Sequence, residues 1–135
     1  MAKGKVGLGR RGETLAAEAL TRHGFNIVTR NWHCREGEVD LVAQRPHPEL
    51  VEPAWYFIEV RTRRGSRHGS PEESVTPHKR GRMESVARRY LAEETTALDA
   101  VWHLSLVAVV MDSAGRLVRV TFYPDLDGQG WALKT

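Results

Sequence analysis

Two acidic residues stand in apolar, strand-like runs of the chain. Glu59 lies within residues 55–60, and Asp40 lies within residues 38–43. An ionised carboxylate in such a run is costly to bury unless it meets a cation, a set of hydrogen-bond donors or a proton. Arg61 follows Glu59 by two residues and therefore shares its face of the strand. The pattern predicts a small, charged, partly buried site.

A divalent cation is one way to satisfy both acids. If the two strands are neighbours, the carboxylates of Asp40 and Glu59 converge, and Mg²⁺ or Mn²⁺ accepts carboxylate and water oxygens. Such an ion can bind a scissile phosphate, activate water and neutralise developing charge. We therefore predict Asp40 and Glu59 as metal ligands. The alternative is a structural ion pair between Glu59 and either Arg61 or a basic residue of the following loop.

Glu13 is a third acidic candidate. It lies in the first turns of a predicted helix, at the boundary of that helix's apolar stripe, from which it can point toward Asp40. The alternative is that an acid near the helix start simply favours the positive end of the helix dipole.

Positive charge is concentrated in one part of the chain. Residues 61–89 hold nine basic and three acidic residues, a net charge of +6 in a chain of net charge +3. This asymmetry favours a polyanionic partner with phosphate groups, namely nucleic acid and above all DNA. The predicted backbone-binding residues are Arg63, Arg64, Lys79, Arg80 and Arg82. The alternative is a solvated basic face without a partner.

Bulk properties narrow the class of protein. With 135 residues and 41% hydrophobic content, we expect one globular domain spanning residues 1–135. Apolar runs are too short for a membrane helix, no apolar region follows the basic start, and Cys34 is the only cysteine. We expect a cytoplasmic protein without a membrane partner. Residues 7–12 match GxGxxG, but no strand precedes them, so we expect no dinucleotide site.

The predicted elements must position these residues. Helical spacing predicts helices over residues 10–23 and 77–94, and alternation predicts strands over 25–30, 38–44, 55–63, 101–111 and 116–123. Alternation puts Asp40 and Val42 on one face of their strand, with Val39 and Leu41 on the other. Residues 1–8 form a basic arm that contacts phosphate or is disordered, and 124–135 a peripheral tail. The order predicts an α/β fold with a mixed sheet flanked by helices.

Several short runs together resemble a known family. They are GRRGE at 9–13, GEVDLVA at 37–43, FIEVRTR at 57–63 and GSPEESV at 69–75, followed by Lys79, Arg82 and Tyr90. With this spacing the chain resembles the uncharacterised bacterial YraN-like family of the restriction-endonuclease-like superfamily. The resemblance covers about residues 7–123.

The resemblance implies a PD-(D/E)xK-type site akin to that of Holliday junction resolvases. Asp40 then matches the metal-binding aspartate, Glu59 the acid of the motif, and Glu13 the glutamate of the first helix. Arg61 stands where the superfamily has lysine. An arginine stays charged and cannot act as a general base, although it can hold phosphate and stabilise negative charge. Lys79 is a candidate to supply the amine instead.

The expected function is a divalent-metal-dependent endonuclease. It would act on structured or branched DNA, with Asp40, Glu59, Arg61 and Glu13 as catalytic residues and metal-activated water attacking a phosphodiester. A two-fold homodimer would suit a branched substrate. Two alternatives remain: a nuclease-fold module that binds nucleic acid without cleaving it, and a protein-interaction or assembly factor whose basic segment meets an acidic partner.

Overall fold

A central sheet and two long helices make up the fold. The computed structural model describes residues 2–65, 69–96 and 99–135, with side chains described from residue 7 onward. Arg67 of the predicted basic segment and residue 1 of the predicted arm lie outside these ranges. The elements are α1 (Ala2–Arg22), β1 (Asn26–Cys34), β2 (Gly37–Arg45), β3 (Ala54–Arg64), a short 3₁₀ helix (Pro71–Ser74), α2 (Pro77–Glu94), β4 (Trp102–Met111), β5 (Leu117–Tyr123) and β6 (Trp131–Ala132).

The six strands form one mixed sheet in the order β1-β2-β3-β4-β5-β6. All neighbouring pairs are antiparallel except β3 and β4, which run parallel. The connection between these two contains α2, as a parallel crossover requires. The predicted α/β fold with a mixed sheet flanked by helices is confirmed, and this architecture is consistent with a restriction-endonuclease-like fold.

The helices cover opposite faces of the sheet. Leu20 of α1 is buried in a cluster with Ile58, while Val86 of α2 is buried in a second cluster with Phe57. Since Phe57 and Ile58 are successive residues of β3, their side chains point to opposite faces. The two helices therefore hold the middle of β3 between them, and the polar end of that strand continues beyond both cores.

The glycines near the start of the chain do not interrupt α1. The helix begins at Ala2, whereas the sequence pattern predicts a start at residue 10 and a separate arm before it. Each interior glycine costs about 1 kcal/mol in helix propensity. Packing offsets that cost here, because Leu8 contacts the α1-side core and Gly12 lies against β3. Tertiary contacts override the local preference.

Both ends of the sheet differ from the simple pattern. β1 runs to Cys34, four residues beyond the predicted strand, because it stays paired with β2 through the register Cys34↔Gly37. At the other end, β6 pairs with β5, and Leu133 is buried against the α1-side core. The C-terminal residues therefore form the last edge of the sheet. No helix among the described residues combines the length and apolar character needed to cross a membrane.

Candidate functional site

A cleft of about 1010 Å³ opens where the end of β3 leaves the cores, between α1 and the start of α2. Acidic and basic residues line it together. The acids are Glu13, Glu38, Asp40 and Glu59, and the bases are Arg61, Arg63, Arg64, Lys79 and Arg82. The structure thus brings residues from α1, β2, β3 and α2 into one charged cavity.

Asp40 lies where the backbone pairing between β2 and β3 ends. Paired register runs from Arg45↔Ala54 to Leu41↔Ile58 and ends there. Just beyond, Oδ2 of Asp40 accepts a hydrogen bond of 2.8 Å from the N–H of Val60. The side chain of Asp40 takes the place of a main-chain acceptor in the gap where the strands part, which holds this carboxylate, only 8% exposed, beside β3.

The break also changes which side chains face which helix. Val39 and Val42 both pack in the α2-side cluster, although regular alternation would separate them. The prediction that Val39 shares a face with Leu41 is therefore wrong. Asn31 of β1 lies across from this change, since its φ is +53° and the flanking pairs Arg30↔Leu41 and Trp32↔Val39 set it opposite Asp40. A left-handed residue in a strand re-aims the neighbouring backbone.

Glu59 is the most buried acid of the cleft, with 7% of its surface exposed. Its Oε2 lies 2.7 Å from Nε of Arg61 and 2.7 Å from Nζ of Lys79. The N–H of Arg61 is not directed at that oxygen, since Nε makes no hydrogen bond. The contact with Arg61 is therefore an ion pair alone, and two cations share a single carboxylate oxygen.

Asp40 carries a perturbed carboxyl group. Burial raises its pKa from 3.8 to about 7, and the negative charges of Glu59, Glu13 and Glu38 add to that rise. The hydrogen bond from Val60 opposes it. A buried acid whose pKa is raised by neighbouring acids is placed where a shared cation or a proton would stabilise it.

Gly12 lets α1 approach β3 closely enough to bring Glu13 to the cleft. A Cβ atom at Gly12 would overlap with Oγ1 of Thr62 and lie 3.0 Å from its Cβ. Only a residue without a side chain fits between helix and strand at this point. Glu13 follows directly in the sequence, half-buried, and its charge acts on Asp40. The structure places Glu13 at the edge of the apolar stripe of α1, which is the position predicted from the sequence.

Lys79 is fixed by the start of α2. Thr76 caps the helix, its Oγ1 accepting from the N–H of Lys79 at 3.2 Å, and Pro77 occupies the first turn. The preceding 3₁₀ helix is held in turn by Glu72, which accepts hydrogen bonds from Arg119 at 2.9 Å and from Tyr123 at 2.7 Å. These contacts tie the loop to β5, so the helix start is anchored from both sides.

A divalent cation fits this donor set only with help from water or substrate. No three His, Cys, Asp or Glu side chains of the described ranges are grouped to hold a metal ion. Two carboxylates are nevertheless enough for Mg²⁺, which keeps several waters and takes further oxygens from substrate phosphate. Asp40 and Glu59 commit one oxygen each to the contacts above, and their second oxygens make no hydrogen bond or ion pair with any described residue.

The remaining predicted residues divide into two groups. Arg63, Arg64 and Arg82 line the cleft, whereas Arg80 points away from it and forms a two-pronged ion pair with Asp127, with N–O distances of 2.5 and 2.6 Å. Glu38 was not among the predicted site residues. It faces the cleft and pairs with His33 at 3.1 Å. Its signal in the sequence was strand alternation, which puts it on the same face as Asp40.

Comparison with known proteins gives a consistent result. The family model described as "Uncharacterised protein family UPF0102" matches residues 12–109. A UPF0102 protein of Roseiflexus castenholzii is 38% identical over 117 residues, covering 87% of this chain and 90% of that protein. One of Herpetosiphon aurantiacus is 44% identical over 100 residues, covering 74% and 73%. One of Nocardia farcinica is 41% identical over 117 residues, covering 84% of each. The matched residues include every acid of the cleft.

Proposed function

The chain belongs to the UPF0102 family, and from that premise we propose that it is a divalent-metal-dependent nuclease of the PD-(D/E)xK superfamily that acts on structured or branched DNA. One observation carries the proposal: Asp40, Glu59 and Lys79 come from three different elements and line one cleft, with Lys79 in contact with Glu59. Acid, acid and amine are the three groups that this class of nuclease needs.

The charges of the cleft suit a phosphodiester substrate. The acids lie at its inner end, where Asp40 and Glu59 are buried, and arginines line the same cavity along β3 and α2. A nucleic-acid backbone would be held by Arg63, Arg64 and Arg82 with its scissile phosphate near the acids. Such contacts supply affinity without reading sequence, which fits an enzyme that recognises DNA shape.

Asp40 and Glu59 would hold Mg²⁺ or Mn²⁺ through their uncommitted oxygens, with Glu13 close to the same position. When bound, the ion would polarise the scissile phosphate and lower the pKa of water. Residues of the chain would position the carboxylate ligand and stabilise the transition state. The N–H of Val60 fixes the carboxylate of Asp40, and Arg61 lies where its guanidinium can stabilise the extra negative charge of the transition state.

Lys79 supplies the amine that Arg61 cannot. Arginine remains protonated under all ordinary conditions, so it cannot exchange a proton with attacking water. A lysine amine can exchange a proton, and Lys79 reaches Glu59 from α2 rather than from the strand. We propose that Lys79 of α2 supplies the amine of this site, while Arg61 of β3 supplies a fixed positive charge.

A second candidate function is supported by the state of Glu59. Its Oε2 already faces two cations, and the described part of the chain offers no third clustered metal ligand. A cleft whose buried acid is already paired with two cations can bind phosphate without catalysing hydrolysis. The second candidate is therefore a nuclease-fold module that binds nucleic acid and has lost turnover.

Cleavage assays separate these functions. Purified protein is incubated with labelled duplex, single-stranded and four-way-junction DNA, in Mn²⁺ or in EDTA, and the products are resolved on denaturing gels. The variants Asp40→Asn and Glu59→Gln keep the shape of each side chain while removing its charge. Glu84→Gln, an exposed glutamate of α2, is the matched control.

The outcomes differ for each function. Cutting that needs Mn²⁺, is lost in both acid variants and persists in Glu84→Gln supports the nuclease. Salt-dependent binding without cutting on any of the three DNAs supports the binding module. Absence of both activities removes both proposals and leaves a protein-interaction or assembly role for the basic segment.

A further inference from the structure

A pair of arginines converges at the end of β3, outside the acidic part of the cleft. A Cβ atom placed on Gly115, in the turn between β4 and β5, would lie 3.6 Å from Nη1 of Arg11 and 3.6 Å from Cζ of Arg64. The two guanidinium groups are therefore separated by no more than twice that distance. Gly115 has φ +82° and leaves the space between them open.

The acid of the same turn, Asp112, is held mainly by hydrogen bonds, above all from Arg116, and these together with the charge of Arg64 lower its pKa. Asp112 accepts hydrogen bonds at Oδ1 from the N–H groups of Ala114 and Arg116, and at Oδ2 from Nε of Arg116. Arg64 donates its own Nε to the carbonyl of Ser113 at 3.1 Å, which fixes the side chain. Arg11 has no ion pair or hydrogen bond to any described residue. The two guanidinium groups thus converge, and neither makes an ion pair with a described carboxylate.

Like charges that converge on an open space are stabilised by an anion. Guanidinium groups bind phosphate through two parallel N–H donors, and two of them can hold one phosphate from two sides. The small residue between them is what such a site requires, because a side chain would fill it. The arrangement is therefore typical of an oxyanion site.

We propose that Arg11 and Arg64 together bind one backbone phosphate of a nucleic acid, at a distance from the scissile phosphate. This inference rests on the proposed function for the identity of the ligand, and it adds a residue, Arg11, that the cleft itself does not include. Arg64 follows Glu59 by five positions along β3, a span of about 16 Å. The bound phosphate is therefore a different one from the scissile phosphate.

Equilibrium binding in EDTA tests the site without requiring cleavage. Fluorescence anisotropy with a labelled 20-base-pair duplex is measured over a range of salt concentrations for the wild type, Arg11→Ala, Arg64→Ala and the double variant. Arg22→Ala, an exposed arginine at the other end of α1, is the matched control. Thermal melting of each variant confirms that it is folded.

If one phosphate is shared, the double variant loses about one unit from the slope of log affinity against log salt, and each single variant loses most of that. The two substitutions are then strongly non-additive. Two further variants check the result without removing an arginine. Gly115→Asp and Gly115→Asn place similar side chains at the same left-handed position, so the Asp variant should weaken binding far more than the Asn variant.

Three results overturn the inference. They are a double variant that keeps the salt slope of Arg22→Ala, losses that simply add, and equal binding by the two Gly115 variants. If any of these results is obtained and the wild type nevertheless cuts DNA, the nuclease proposal is unaffected. A wild type that binds as expected but never cuts removes the nuclease and leaves the phosphate site in place.

Discussion

The Nζ of Lys79, on α2, lies 2.7 Å from Oε2 of Glu59, on β3. These residues are twenty positions apart and belong to different elements, yet they form the innermost ion pair of the cleft. Lys79 is 22% exposed in its side chain, and Glu59 is 9% exposed in its own. The proposed function gives this partly buried amine beside a buried acid a role in catalysis, which substitution can test.

Replacing Lys79 distinguishes an amine of the reaction from a phosphate contact. Lys79→Ala should lower the cleavage rate by about 100-fold or more, because general acid–base groups contribute at least that much. Lys79→Arg keeps the positive charge but should not restore the rate. Arg88→Ala, an exposed change on the same helix, is the control. Single-turnover rates at saturating protein measure the effect, and full activity of Lys79→Arg would remove the amine from the mechanism.

Arg61→Lys provides the complementary change. It restores the lysine of the superfamily pattern on β3 and should support cleavage in the Lys79→Ala background. Restored cutting in that double variant, measured by the same single-turnover assay, indicates that one amine near Glu59 is sufficient from either element. No restoration would mean that the helix position of Lys79 is itself required.

The raised pKa of Asp40 predicts how stability depends on pH. In the folded protein the carboxyl group ionises near pH 7, whereas in the unfolded chain it ionises near its ordinary value of 3.8. The folded state therefore binds this proton more tightly, and the contribution of Asp40 to stability is fully present below about pH 4 and is lost as the pH rises to 7. The full loss is on the order of 4 kcal/mol in the free energy of unfolding.

Urea unfolding between pH 4 and pH 8 measures this loss. The wild type should lose stability over that range relative to Asp40→Asn, which cannot ionise. Adding Mn²⁺ at pH 8 should raise the melting temperature of the wild type and not that of Asp40→Asn, since an ion that binds only the folded state stabilises it. Parallel pH curves for the two proteins would show that Asp40 ionises normally.

Much of this fold follows from local patterns. The apolar stripe of α2 and the alternation in β3 predict the helix and the strand close to their observed bounds, because both elements bury one regular face. The end of α1 also has a local cause, because Gly24 has a φ of +88°, which suits glycine at a helix C-terminus. Asp40 and Glu59 were predicted as site residues because each one stands in an otherwise apolar run.

Long-range relationships were not visible in the sequence. The contact of Lys79 with Glu59 depends on where the loop before α2 places the start of that helix. That loop is held by the contact of Glu72, in the 3₁₀ helix, with Arg119 on β5. Asp40 is paired across from Asn31, and no periodic pattern signals the left-handed backbone of Asn31. Arg80 is turned from the cleft by Asp127, forty-seven residues away. Each of these depends on a contact between distant parts of the chain.

Gly12 is predicted to be required for the packing of α1 on β3. Gly12→Ala gains about 1 kcal/mol in helix propensity, but its Cβ overlaps with Thr62, and overpacking of this kind costs about 1–3 kcal/mol. The net effect should be destabilisation, with Glu13 moved from the cleft and cleavage reduced. Gly7→Ala, where no atom lies within 4 Å, is the control and should stabilise the protein. Chemical denaturation of both variants, together with Gly12→Ala combined with Thr62→Ala, measures the overlap directly, and equal stability of the two single variants would contradict it.

Asp127 is predicted to compete with nucleic acid for Arg80. The carboxylate holds both terminal nitrogens of the guanidinium in the geometry that a phosphate would use, and both side chains are exposed enough to exchange partners. Asp127→Asn should therefore increase affinity for duplex DNA in EDTA and steepen its dependence on salt by up to one phosphate contact. Arg80→Ala alone should change affinity little, because this cation is already paired, and adding Arg80→Ala to Asp127→Asn should cancel the gain. Asp125→Asn, a nearby acid whose partner is His103, is the matched control. A gain in Asp127→Asn that survives the loss of Arg80 would mean that the tail acts through its overall negative charge rather than through this ion pair.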